Sequence, residues 1–227
     1  MKKNIQFKLQ AKPENEKTIV YLYGDIVDED WVNPFTNSEE DLIDVITPKK
    51  VREVFEDIEN ENIDLHLNSY GGSVFASVSI FNYLKGLGKN ITVYVDGVIA
   101  SGATLIAMAG DKIIMPKNTM MMIHKASTFG FGNSNDLRKV ADTLEKIDKN
   151  VVLETYKERF KGSHEELEEL LTNETWLSAK EAFDKGLIDE VLEKAEETQK
   201  EKEEEKIEKE EINNAIKFMT NFARLKF

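Results

Sequence analysis

Ser101 stands where a β-branched run meets a run of small residues, in Val98-Ile99-Ala100-Ser101-Gly102-Ala103. A serine at a strand-to-helix junction faces the open end of a sheet, and the helix N-terminus favours negative charge developing beside it. Such a serine is also a common helix N-cap, and taken alone the position does not separate the two roles. Upstream, Gly71-Gly72 occupies another strand-to-helix turn. Its glycines serve either a tight turn with positive φ or a backbone N–H at Gly72 aimed at a ligand oxygen, as an oxyanion hole requires. The chain has three histidines. His164 lies in a polar turn beside Glu165 and Glu166, and His66 alternates with Leu65 and Leu67 on the opposite strand face. His124 closes the apolar run Met120-Met121-Met122-Ile123, so it alone is placed to meet a serine at a neighbouring strand end. A serine, a base and paired amides would make an acyl-transfer site, in which a carboxylate should orient the histidine. Composition does not select that carboxylate from 43 acidic residues.

The elements that must position these groups follow from period and punctuation. Strands are predicted at Thr18–Tyr23, Ile63–Asn68, Ile91–Val95, Lys112–Met115, Thr119–Ile123 and Trp176-Leu177. Helices are predicted from Thr47-Pro48 onward, from Val74 to Leu87, and from Ala103 to Ala109. A long amphipathic helix is drawn from about Ser134 to Phe160, and a shorter one from Glu165 to Leu171. Ser178-Ala179-Lys180-Glu181 reads as a capping box whose helix ends at Gly186. Residues 25–46 read as an acidic loop or frayed helix, and residues 1–16 as polar and without period. This alternation of strands and helices indicates an α/β layered domain, in which ligands bind where the parallel sheet opens.

Composition narrows the partners. The net charge of −13 argues against a nucleic-acid backbone or an anionic membrane surface. No cysteine is present, which excludes disulfides and thiolate metal sites. No signal peptide or apolar membrane span is visible, so a soluble, cytoplasmic protein is expected. Residues 193–211 hold ten glutamates and five lysines among nineteen residues, a solvated helix or a disordered linker. An apolar segment follows, through Ile216, Phe218, Met219, Phe222 and Phe227.

Four ordered blocks resemble the proteolytic subunit of Clp proteases. They are Asn68-Ser69-Tyr70-Gly71-Gly72-Ser73-Val74, Gly97-Val98-Ile99-Ala100-Ser101-Gly102-Ala103, Met122-Ile123-His124, and Leu177-Ser178-Ala179-Lys180-Glu181-Ala182 with Gly186-Leu187-Ile188-Asp189 behind it. The resemblance implies a crotonase-like ββα superhelix over residues 17–192, preceded by an N-terminal extension (1–16) and followed by a charged tail (193–227). It further implies a homo-oligomeric ring, heptameric or stacked, with sites facing an inner chamber. Carried over by position, Ser101 is the nucleophile, His124 the base, and the amides of Gly72 and Gly102 the oxyanion hole. The family's aspartate falls at Glu174, one methylene longer, with Asn173 as a fallback orienter. No cofactor or metal is expected, because acyl transfer by serine and histidine needs none. The segments 110–116 and 131–139 resemble instead the phage and prophage branch, whose members are head-maturation proteases acting on scaffold and capsid precursors. Residues 1–16 do not match the segment that helps dock an ATP-driven unfoldase in housekeeping members, so that partner stays open. Two other classes stand beside the serine endopeptidase: a ring-forming scaffold with an idle site, and a crotonase-type acyl-CoA enzyme. An α/β-hydrolase is disfavoured, since Ile99 and Ala103 replace the flanking glycines of its nucleophile turn.

Overall fold

The computed structural model describes residues 10–14, 16–28 and 45–193. The charged run and the apolar segment after it lie outside the described residues, as do most of the expected loop at 25–46. The chain divides into two units, residues 1–191 and 192–227, and the fold that follows belongs to the first.

Its frame is an eight-stranded, mainly parallel sheet with helices packed on it. The strands β1 (Gln10–Glu14), β2 (Lys17–Tyr23), β5 (Asn62–Ser69), β6 (Asn90–Ala100), β7 (Lys112–Pro116) and β10 (Glu190–Leu192) lie in that order. A two-stranded parallel pair, β3 (Asp25–Ile26) and β4 (Val45–Ile46), flanks them where a loop or helix was expected. The strands β2, β5, β6 and β7 run parallel, and along β2 and β5 buried residues alternate with less buried ones. β1 runs antiparallel to β2 at the edge, within the stretch expected to have no period. Its Pro13 suits an edge, where one side of the strand needs no donor.

β6 is the strand that matters most. It was expected to stop at Val95, but it runs on to Ala100 through a bulge: Leu67 pairs with Val95, and Ser69 already pairs with Ile99. Gly97 sits in this bulge, where a Cβ would come within 2.7 Å of Asn68 Oδ1. That oxygen accepts from the Val98 amide at 3.0 Å and pins the continuation. The two halves of β6 then take different neighbours. Thr92–Tyr94 pair with β7, and Val98–Ala100 pair with β8 (Met120–Ile123). β8 pairs antiparallel with β9 (Thr175–Ser178).

The helices are α1 (Pro48–Glu56), α2 (Val74–Gly86), α3 (Gly102–Ala107), α4 (Ser134–Ile147), α5 (Leu153–Lys157), α6 (His164–Thr172) and α7 (Ala179–Asp184). Thr47 caps α1 through its side chain, with proline in the first turn as expected. The capping box of α7 forms as expected, with Ser178 and Glu181 bonding reciprocally. Hydrogen bonds from Ser178 hold the Glu181 carboxyl below the usual range. The single helix expected over 134–160 runs helical throughout from Ser134 to Lys157. A π-turn at Asp148–Val152 separates α4 from α5 and turns the acidic Asp148 inward.

The core is built from strand residues such as Leu65, Leu67, Val93 and Val95 against helix residues such as Ile80, Leu84 and Ile106. His66 lies on the other sheet face, as the alternation required. It stacks between Tyr21 and Tyr94 on one rung of β2, β5 and β6, with Nδ1 2.9 Å from the Asp96 carboxylate. His164 is exposed at the start of α6. Among the described residues, no helix is long and apolar enough to cross a membrane.

Candidate active site

The end of β6 determines where Ser101 sits. Ala100 pairs with Met122 across the β6–β8 ladder, and the Ser101 amide donates to the Met122 carbonyl at 2.9 Å. Ser101 and His124 therefore leave adjacent parallel strands at the same edge. His124 Nε2 lies 2.7 Å from Ser101 Oγ, within reach for proton transfer.

Ser101 is not an ordinary N-cap. Its φ of 54° and ψ of −127° lie in a sparsely populated region, and its hydroxyl makes no capping bond to α3. Strain at a polar side chain persists only where the surroundings impose it, and such positions cluster at functional sites. The surroundings here are glycines. A Cβ on Gly71 would fall 2.5 Å from the Ala100 carbonyl oxygen and 2.8 Å from Ser101 Cβ. One on Gly72 would fall 2.0 Å from the Ile26 carbonyl oxygen, and one on Gly102 2.3 Å from Ser77 Oγ. The Gly71-Gly72 turn is thus pressed against the nucleophile turn from one side and against β3 from the other. Ile26 bonds to both of its flanks, donating to the Gly71 carbonyl at 2.8 Å and accepting from Ser73 at 2.8 Å. Among the described residues, the amides of Gly72 and Gly102 have no protein acceptor. Two free amides beside a serine hydroxyl are able to stabilise an oxyanion.

The site opens into a cleft of about 560 Å³. Leu105, Val140, Leu144, Ile147 and Val152 give it apolar walls, and Lys139 and Lys125 stand at its margin. α4 buries none of its residues fully, and Val140, Leu144 and Ile147 of its apolar stripe line this wall, so the helical period in the sequence marked the lining of a cleft.

Of the residues singled out from sequence, the structure brings together Ser101, His124, Gly72 and Gly102. In the β8–β9 ladder Ile123 pairs with Thr175, so one further antiparallel step would set Glu174 opposite His124. Glu174 instead turns through a φ of 48° with an exposed side chain, and among the described residues no carboxylate is hydrogen bonded to His124. Asn173 is exposed at the end of α6.

Several contributors went unnoticed in the sequence. Ser69 Oγ accepts from the Gly71 amide at 2.9 Å, and Ser73 caps α2 while its hydroxyl donates to Asp28 at 2.8 Å. Asp148 accepts from the Ala126 amide at 2.7 Å, fastening the chain two residues past His124. An acid falling among Leu144, Ile147 and Val151 on the apolar stripe was its signal.

This fold is a mixed α/β layer with a mainly parallel sheet, and its open edge carries a serine, a histidine and two free amides. The family model for Clp protease matches residues 16–195. Among similar proteins, the ATP-dependent Clp protease proteolytic subunit of Porphyromonas gingivalis is 30% identical over 138 residues, covering 59% of this chain and 61% of that protein. Subunit 1 of Chlamydia abortus is 32% identical over 131 residues (56% of this chain, 67% of that protein). Subunit 2 of Thermobifida fusca is 31% identical over 134 residues (58% and 65%). The matched region spans 61% of the first of these relatives, less than two thirds of its length. The chain belongs to the Clp protease family.

Proposed function

We propose that the protein is a serine endopeptidase working through an acyl-enzyme. The observation that carries this is the 2.7 Å contact between His124 Nε2 and the hydroxyl of a strained Ser101, near two amides that have no protein acceptor among the described residues. In this mechanism Ser101 Oγ attacks the scissile carbonyl as His124 Nε2 takes its proton. The tetrahedral oxyanion is held by the Gly72 and Gly102 amides. His124 then protonates the leaving amine, and water deacylates the serine by the same steps in reverse. For Nε2 to accept, Nδ1 must carry the other proton, and Glu174 is its proposed acceptor, reached by one more step of β8–β9 register. The apolar cleft supports an apolar side chain next to the scissile bond.

The biological substrate is proposed to be a phage capsid or scaffold precursor, supported by the segments 110–116 and 131–139. Self-association into a ring is supported by large apolar side chains left exposed on the single chain, with Phe129 95% and Phe131 91% accessible. Partnership with an ATP-driven unfoldase rests on the names of the relatives alone. The position of Glu174 favours a second reading, an idle-site scaffold that keeps the fold. A crotonase-type enzyme would use the paired amides but leaves the serine–histidine contact without purpose.

The test is hydrolysis of N-blocked peptide coumarylamides with leucine or glutamate at the scissile position. Leucine is expected to be preferred, with turnover lost in Ser101→Ala. Turnover that persists in Ser101→Ala overturns the mechanism.

A further inference from the structure

The Ser101 carbonyl belongs to the same peptide unit as the Gly102 amide. A trans peptide points its C=O and N–H in opposite directions, so whatever fixes one end aims the other. The Ser101 carbonyl is fixed from inside the protein. It accepts from the Thr104 amide at 3.0 Å and from the Thr104 hydroxyl. A threonine bonding back to a carbonyl is common in helices. What is not common is the second tether: Thr104 Oγ1 also contacts the hydroxyl of Tyr156, from α5 on the far side of the π-turn. A hydroxyl carries one proton. Because Thr104 donates it to Ser101, Tyr156 must be the donor to Thr104.

Both partners are sealed in the core, Thr104 fully and Tyr156 to within 1%. Burial pushes the Tyr156 phenol above its usual range, so it keeps the proton that the relay needs. Tyr156 is also among the residues that line the cleft.

We propose that Tyr156 and Thr104 are positioning residues, a buried hydroxyl relay that locks the Ser101–Gly102 peptide so that the Gly102 amide faces the cleft. The proposal rests on the serine-peptidase mechanism above, in which that amide binds the oxyanion. It follows from the φ of 54° at Ser101 that the peptide is held against local preference, and the relay supplies the hold from a distant element. The oxyanion forms only after attack, so loosening the relay affects kcat and leaves KM in place.

The experiment measures kcat and KM on an N-blocked leucyl coumarylamide, per active site titrated with a fluorophosphonate, for full-length Tyr156→Phe, Thr104→Val, Thr104→Ser and the Phe/Val double variant. Tyr156→Phe and Thr104→Val are each expected to lower kcat about tenfold, less than outright loss of an oxyanion donor. KM is expected to hold, and Thr104→Ser, which retains the hydroxyl, should turn over as wild type does. The double variant should fall no further than Thr104→Val, because one broken link opens the relay. Melting temperatures identify any variant that does not fold, and Thr104→Ser against Thr104→Val decides the matter if Tyr156→Phe is lost that way. Unchanged kcat in both single hydroxyl-deleting variants, or a loss confined to KM, overturns the proposal. A wild-type protein lacking Ser101-dependent turnover would instead overturn the peptidase mechanism beneath it.

Discussion

The two halves of the site are built by different means. The nucleophile half, where β5 and β6 end, is fixed by backbone against backbone. Gly71, Gly72 and Gly102 leave no room for a single added carbon, and Ser101 is strained between them. The base half, where β8 ends, is held by fewer and longer-reaching ties. His124 is half-buried, and among the described residues its imidazole makes one hydrogen bond, to Ser101. The chain after it hangs on one buried carboxylate, Asp148, and on the Lys125 amide, which donates to the Leu171 carbonyl at 3.1 Å. The first half is set by local sequence. The second depends on the π-turn and on the β8–β9 register, and so leaves adjustment in the orientation of the base.

That contrast can be broken most severely at Gly72. Its Cβ position lies 2.0 Å from the Ile26 carbonyl, so Gly72→Ala must move backbone and displace an oxyanion amide. A loss of at least about a hundredfold in kcat is expected, comparable to deleting an oxyanion donor. Near-wild-type kcat would show that this half is looser than described.

The base half is sharpened at Glu174. If its carboxylate orients His124 during turnover, Glu174→Gln should lower kcat by about a hundredfold or more, since a carboxylate fixes the required tautomer. Glu174→Asp should keep most activity, because aspartate tolerates the left-handed backbone at this position better than most residues do. Equal activity in Glu174→Gln and wild type would move the orienting role to another group.

The smallest effect on turnover is expected at Asp148. Asp148→Ala strands the Ala126 amide and should cost about 1–3 kcal/mol of stability, the usual penalty for an unpaired buried group. Chemical denaturation reads that cost directly. A midpoint unchanged from wild type would mean that Asp148 does not fasten the base half.

How far the sequence could be read follows the same division. Ser101, His124 and the glycines were legible because strand ends and glycine turns are local signals, and the capping box at Ser178 was legible for the same reason. The elements that escaped depend on partners distant in the chain. β1 needs β2 beside it, and its polar residues carry no period of their own. β3 and β4 are too short to leave a pattern. The π-turn inserts into a stripe whose spacing looks continuous, and the extension of β6 past Gly97 relies on the side chain of Asn68. Tyr156 has no sequence signal of its own, because its tie to Thr104, 52 residues away, exists only in the fold.

The central claim is an activated serine, and intact-mass spectrometry after fluorophosphonate treatment tests it most directly. One adduct is expected on the wild-type protein, none on Ser101→Ala, and a much slower reaction on His124→Ala. An unreactive wild-type protein, or an adduct of the same size and rate on Ser101→Ala, would contradict it.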